Sequence, residues 1–264
     1  MAMLAFMALY IPIFTLVVYS FNSETTLGNW GEFSWQWYVK AWDTQAVKDA
    51  TLRSLVIASF AAVFSTMLAT MAALGTTRRR AFKGQTFIYV MINQPLMVPE
   101  IVTAVALMIL FGLIKTLTGI QGLGYLILAH TAFCIPFAFL PIRARLQGMA
   151  PDYEEAAQDL YATPWQTFRH VVLPMIAPPL IGVGLFGFTL SYDEFARTLM
   201  TSGTYNTLPL EIYGMTTNVT TPVLYALGTV TTGVSFAVIV LALLSVTWLR
   251  RRRARHGSDA GKAA

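Results

Sequence analysis

Residues 152–174 read Asp152-Tyr153-Glu154-Glu155-Ala156-Ala157-Gln158-Asp159-Leu160-Tyr161-Ala162-Thr163-Pro164-Trp165-Gln166-Thr167-Phe168-Arg169-His170-Val171-Val172-Leu173-Pro174. Local physics makes two short helices of this stretch. Asp152 is expected to cap the first, with Glu155 completing a variant capping box. Thr163 caps the second, Pro164 takes its first helical position, and Gln166 reaches back from the third. Pro174 is expected to stop that helix before the next apolar run, because its ring removes a donor and clashes with the preceding turn. A capped helix pair is more than a connector needs, since helix–helix connections usually take about 2–8 residues.

Around this segment the chain is apolar. Its 264 residues are 56% hydrophobic and 12% charged, with mean hydropathy +0.58. A soluble domain carries about 25% charged residues. Too few polar side chains remain to coat a water-facing globule, so the solvent is lipid. Six stretches approach the roughly 20 apolar residues that a spanning helix needs: 3–21, 54–74, 87–113, 123–141, 176–190 and 224–249. The expected fold is an all-α membrane protein with six transmembrane helices in one domain, 1–264. Its core runs from about 50 to 246, with a polar loop at 143–174 and a basic tail at 250–264. The third stretch is interrupted by Asn93, Pro95, Pro99 and Glu100, and the fifth looks short and proline-crowded. The first lacks a basic leading region and is longer than the ~7–15 apolar residues of a signal peptide, so it reads as a retained helix.

The formal charge of +5 and pI of 9.4 describe topology rather than nucleic-acid binding. Thirteen of the 18 basic residues fall on one side of the six-span scheme: Arg78, Arg79, Arg80 and Lys83, then Arg143, Arg145 and Arg169, then Arg250, Arg251, Arg252, Arg253, Arg255 and Lys262. Lys40, Lys48, Arg53, Lys115 and Arg197 fall on the other. By the positive-inside rule both termini and the helix-pair loop are cytoplasmic. The single cysteine, Cys134, rules out a disulfide within the chain.

Helix packing is also written into the sequence. Ala61, Ser65, Ala69 and Ala73 recur every four residues, and Gly182, Gly184 and Gly187 thin the fifth span, as close backbone approach in lipid requires. Pro95, Pro99, Pro136, Pro178 and Pro179 are expected to break or kink their helices, either as ordinary bundle kinks or along a watery path. Acids are scarce in the spans and each needs a reason. Glu100 adjoins Pro99, and Asp193 and Glu194 stand where the fifth span ends. They are substrate contacts, or alternatively Glu100 satisfies backbone donors freed beside the proline while Asp193 and Glu194 cap or gate the helix end. Trp30, Phe33, Trp35, Trp37, Tyr38 and Trp42 form an interfacial aromatic belt or line an entrance. His130, His170 and His256 show no metal-ligand spacing, and no glycine-rich phosphate loop occurs.

Glu155-Ala156-Ala157 followed by Leu173-Pro174 resembles the Glu-Ala-Ala loop of binding-protein-dependent ABC permeases. In that family the short helix docks on the ATPase subunit and transmits its closure. The resemblance implies coupling roles for Glu154, Glu155, Ala156, Ala157, Asp159, Leu160, Tyr161, Ala162, Leu173 and Pro174. Tyr161 departs from the pattern, since it occupies the family's glycine position in a left-handed turn; the departure puts the turn and the docking geometry in question. Further matches at Phe33-Ser34, Trp37-Tyr38, 98–102, 191–195 and 208–213 resemble the branch that handles spermidine and putrescine. That implies a type I importer permease with a second permease subunit, two ATPase subunits that bind ATP and magnesium, and a periplasmic binding protein. This chain would hold no cofactor and no metal, would bind membrane lipid but no nucleic acid, and would lie in a bacterial inner membrane. The implied substrate path uses Glu100, Asp193 and Glu194 with Trp37 and Tyr192, where carboxylates replace the water shell of a polycation and aromatic faces add cation–π attraction. Opines, aminobutyrate-like solutes and iron chelates are alternative substrates, and an intramembrane enzyme is the alternative of another class.

Overall fold

The computed structural model describes residues 2–25, 29–78, 82–120, 122–217 and 221–260. Arg79, Arg80 and Lys262, and the side chains of Arg250, Arg251, Arg252, Arg253, Arg255 and His256, lie outside the described residues. Most of the described residues are helical: α1 (Ala2–Tyr19), α2 (Gln36–Asp43), α3 (Gln45–Thr77), α4 (Gln85–Met97), α5 (Glu100–Thr118), α6 (Leu123–Gln147), α7 (Asp152–Asp159), α8 (Pro164–Thr167), a π-turn (Phe168–Val172), α9 (Leu173–Tyr192), α10 (Ala196–Thr201), α11 (Leu208–Thr217) and α12 (Val223–Ala260). Among the described residues five helical stretches are long and apolar enough to span a membrane: α3, α5, α6, α8 through α9, and the Val223–Trp248 part of α12. A shorter apolar helix, Met7–Tyr19, lies in α1. The protein is thus a multi-pass membrane protein.

Helix α3 is the centre of the bundle and packs most extensively against α6 and α9. The expected small-residue stripe is the reason. Ala61, Ser65, Ala69 and Ala73 are all fully buried. A Cβ added at Gly187 would lie 3.7 Å from Ser65 Oγ, and one at Gly184 3.5 Å from Thr66 Oγ1, whereas Gly182 faces open space. Two of the three expected glycines therefore line the α3–α9 contact. On this side Phe139, Ile142, Leu146 and Ile176 close the core.

The prolines sort into two kinds. Only Val98–Pro99 breaks a span, dividing the third stretch into α4 and α5, and Glu100 becomes the first residue of α5. Pro95, Pro136, Pro178 and Pro179 sit inside continuous helices. One lost hydrogen bond is tolerable where neighbouring helices pack around it. Nor does Pro174 stop its helix. The π-turn widens the backbone just before it, and helix runs from Pro164 to Tyr192, so the fifth span is 29 residues rather than short. A π-bulge enlarges the turn that the proline ring would otherwise crowd.

Candidate functional site

Two groups of charged residues sit at opposite ends of the spans, one around α7 and one around α10. The α7 end is built by local rules. Asp152 is the first residue of α7 rather than its cap; Pro151 holds the cap position, and no side-chain cap bond forms. The expected variant box is therefore absent. Its place is taken by the Pro151 carbonyl, which accepts from the amides of Glu154 and Glu155. Asp152, Glu154 and Glu155 still put negative charge on the positive end of the helix dipole. The second box forms as expected: Thr163 Oγ1 accepts from the Gln166 amide at 3.3 Å, and Gln166 Oε1 accepts from the Thr163 amide at 2.8 Å.

Between the two helices the Ala162 amide donates to the Ala157 carbonyl at 3.1 Å and the Tyr161 amide to the Gln158 carbonyl at 2.8 Å. This pair of bonds is a Schellman closure, which needs a left-handed residue at Tyr161. Tyr161 adopts it, with φ of +59°, the only positive φ outside glycine among the described residues. The turn is thus kept despite the missing glycine, at a cost of roughly 1 kcal/mol. Tyr161 is 96% exposed and Leu160 82%, so nothing in this chain covers the tip. Glu155, Ala156 and Asp159 are exposed, and Ala157 and Ala162 partly so. Glu154 is anchored instead: Arg78 Nε, at the end of α3, lies 2.7 Å from its Oε1. Leu173 and Pro174 stand apart from this tip, in the first turn of α9.

At the other end the three candidate acids divide. Asp193 caps α9, is exposed, and accepts from Ser235 Oγ of α12 at 3.1 Å. With Phe195, Ile212, Tyr213, Thr216 and Thr231 it lines a cleft of about 350 Å³, where the Phe195 and Tyr213 rings lie 4.9 Å apart. A carboxylate beside two aromatic faces suits an ammonium group. Glu194 turns the opposite way and is buried. Arg197 Nη1 donates to Glu194 Oε2 at 2.9 Å and to Glu100 Oε1 at 2.7 Å, while the Arg197 amide donates to Glu194 Oε1 at 3.0 Å. The guanidinium rests 3.8 Å from the centre of the Phe133 ring.

Two members of this cluster escaped the sequence reading. Arg197 looked like one more topology charge, and His130 like a stray histidine. His130 Nδ1 lies 2.8 Å from Ser191 Oγ and Nε2 3.0 Å from Thr198 Oγ1. Thr198 Oγ1 also donates to the Glu194 carbonyl at 2.9 Å. The ring ties α6 to both α9 and α10. The signal that could have found Arg197 was a lone cation beside an acid at a span end, since buried charge in lipid demands a partner.

The two aromatic candidates are packed within the chain. Tyr192 is 2% exposed and stacks on Phe188 at 5.9 Å. Trp37 is buried against Val47 and Leu208, and its Nε1 donates to the Asn22 carbonyl at 2.6 Å. Trp30, Trp35 and Trp42 are exposed, as a belt requires. Phe21, Phe33, Trp35 and Tyr38 pile together at centroid separations of 4.8–5.8 Å.

Known proteins place this geometry in a family. The chain is 35% identical over 237 residues to the spermidine/putrescine transport system permease protein PotC of Haemophilus influenzae, covering 89% of this chain and 91% of that one. It is 34% identical to PotC of Escherichia coli K12, covering 89% and 88%. Identity is 35% to the putrescine transport system permease protein PotI of the same strain, covering 88% and 84%. Its fold matches a bacterial ABC transporter that imports the polysaccharide alginate, with TM-score 0.71 at 15% identity, covering 93% and 92%. The MetNI methionine ABC transporter matches with TM-score 0.62 at 16% identity, covering 77% and 95%. Residues 65–255 match the family model described as the binding-protein-dependent transport system inner membrane component, and the chain belongs to that family.

Proposed function

We propose that this chain is the permease subunit of an ATP-driven importer for a small organic cation of the spermidine and putrescine class. The observation that carries the reading is its 34–35% identity, over nearly the whole length, to permease proteins named for those two solutes. The chemistry of the Asp193 cleft is compatible with it. An exposed carboxylate in the same cleft as two aromatic rings offers a protonated amine both charge and a π-face.

The assembly that fits has this chain beside a second permease subunit, with two ATPase subunits and a periplasmic binding protein. ATP and magnesium belong to the ATPase subunits, and this chain takes no part in hydrolysis. Both termini and the α7–α8 turn face the cytoplasm, following the partition of basic residues. In that orientation Glu155, Ala156, Ala157 and the Leu160–Tyr161 tip meet the ATPase, and Arg78–Glu154 carries the movement of α7 to the end of α3. Asp193, Glu100 and Glu194 then lie toward the periplasm, where a cation is handed over.

The test is binding-protein-dependent stimulation of ATP hydrolysis in vesicles containing the complex purified through this chain. Spermidine or putrescine should stimulate it and uncharged solutes should not. Stimulation by an uncharged or anionic solute alone would refute the substrate assignment, and a chain that purifies without an ATPase would refute the assembly.

A further inference from the structure

A path for a polycation needs available carboxylates, yet Glu100 and Glu194 share one guanidinium. The two contacts differ in kind. Arg197 and Glu194 are three residues apart, their side chains are 3% and 5% exposed, and two hydrogen bonds plus the Phe133 ring hold them. They form one fixed unit. Glu100 comes from 97 positions away, its side chain is 50% exposed, and it meets Arg197 through one contact, at 2.7 Å. It is also the first residue after the Val98–Pro99 break. The charged link from α10 to α5 therefore rests on one half-exposed carboxylate.

We propose that Glu100 is an exchanging carboxylate, bound to Arg197 when the path is empty and transferred to an ammonium group of the substrate when it is occupied. This rests on the organic-cation reading above. Charge balance gives the exchange its direction. Glu100, Arg197 and Glu194 together carry one uncompensated negative charge. After exchange Arg197 pairs with Glu194 alone, Glu100 pairs with the ammonium, and both pairs are neutral. At membrane depth an unbalanced charge is costly, so the exchange favours a cation and no uncharged solute can drive it. Releasing Glu100 removes the ionic tie between α5 and α10, which remain packed on each other, so cation entry weakens the link beside the broken span. Arg197 is then a specificity-determining residue that stands in for the substrate.

The experiment uses the complex purified through this chain and reconstituted into vesicles, with two readouts: ATP hydrolysis with no solute, and binding-protein-dependent spermidine uptake. Glu100→Gln should raise solute-free hydrolysis severalfold and lower uptake. The conservative variant Glu100→Asp keeps the negative charge but shortens the reach to Arg197, so both readouts should fall between wild type and Glu100→Gln. Solute-free hydrolysis equal to wild type in Glu100→Gln, or uptake equal to wild type in that variant, overturns the proposal. Wild-type vesicles that take up no spermidine would refute the substrate reading, while solute-free hydrolysis in Glu100→Gln still decides the exchange.

Discussion

The turn between α7 and α8 and the cluster around Arg197 both place charges at helix ends, but they are held in opposite ways. The turn is closed by bonds no more than five residues apart, from Ala157 to Ala162 and from Thr163 to Gln166. It leaves its tip exposed, and Arg78 ties it to the end of α3 through Glu154. The Arg197 cluster joins residues 97 positions apart, buries its Arg197–Glu194 pair, and draws His130 of α6 into the same network. A surface that must meet another protein can be specified locally and left open. A charge that must survive in lipid has to be neutralised by whatever the fold brings beside it.

The largest expected effect lies in the buried cluster. Arg197→Ala leaves Glu194 buried without its cation and should destabilise the protein by about 3–5 kcal/mol, read as a lowered unfolding midpoint of the purified complex. An effect as small as that of an exposed pair would erase the contrast between the two ends.

At the turn, Ala156→Arg places a long cation on the exposed face of α7. Insertion should be normal, and uptake per ATP hydrolysed should fall about tenfold, on the order of 1.4 kcal/mol. Normal transport in this variant would remove α7 from coupling. Two neighbouring substitutions should act with opposite sign. Thr163→Ala removes half of the capping box and should cost about 1 kcal/mol, whereas Tyr161→Gly relieves the left-handed tyrosine and should gain roughly 1 kcal/mol. Amide hydrogen exchange across 152–172 measures both, as faster exchange in the first and slower in the second. The smallest effect is expected from Glu154→Gln, below about 1 kcal/mol, because the Arg78 pair is partly solvated. Loss of coupling in that variant without loss of stability would show that α3 and α7 move as one.

This difference also explains what the sequence could reveal. Thr163, Pro164 and Gln166 act within one turn of each other, so their roles follow from spacing alone. The Ala61–Ala73 stripe was legible for the same reason. The span at 87–113 was marked as interrupted, but which proline breaks the helix depends on packing: Pro136 is enclosed by α6's neighbours and Pro99 is not. Asp152 was misassigned because Pro151 supplied a backbone acceptor first. The acids at 193 and 194 were visible as a pair, yet a helix end turns neighbouring side chains apart, toward Ser235 and toward Arg197. Arg197 could not be matched to Glu100 without the fold.

ATP-dependent accumulation of labelled spermidine, in vesicles carrying the complex and its binding protein, tests the central claim most directly. The expected result is accumulation that needs ATP, is displaced by unlabelled putrescine, and is lost in Asp193→Asn while assembly is retained. Accumulation of an uncharged or anionic solute in the same vesicles, with none of spermidine, would contradict it.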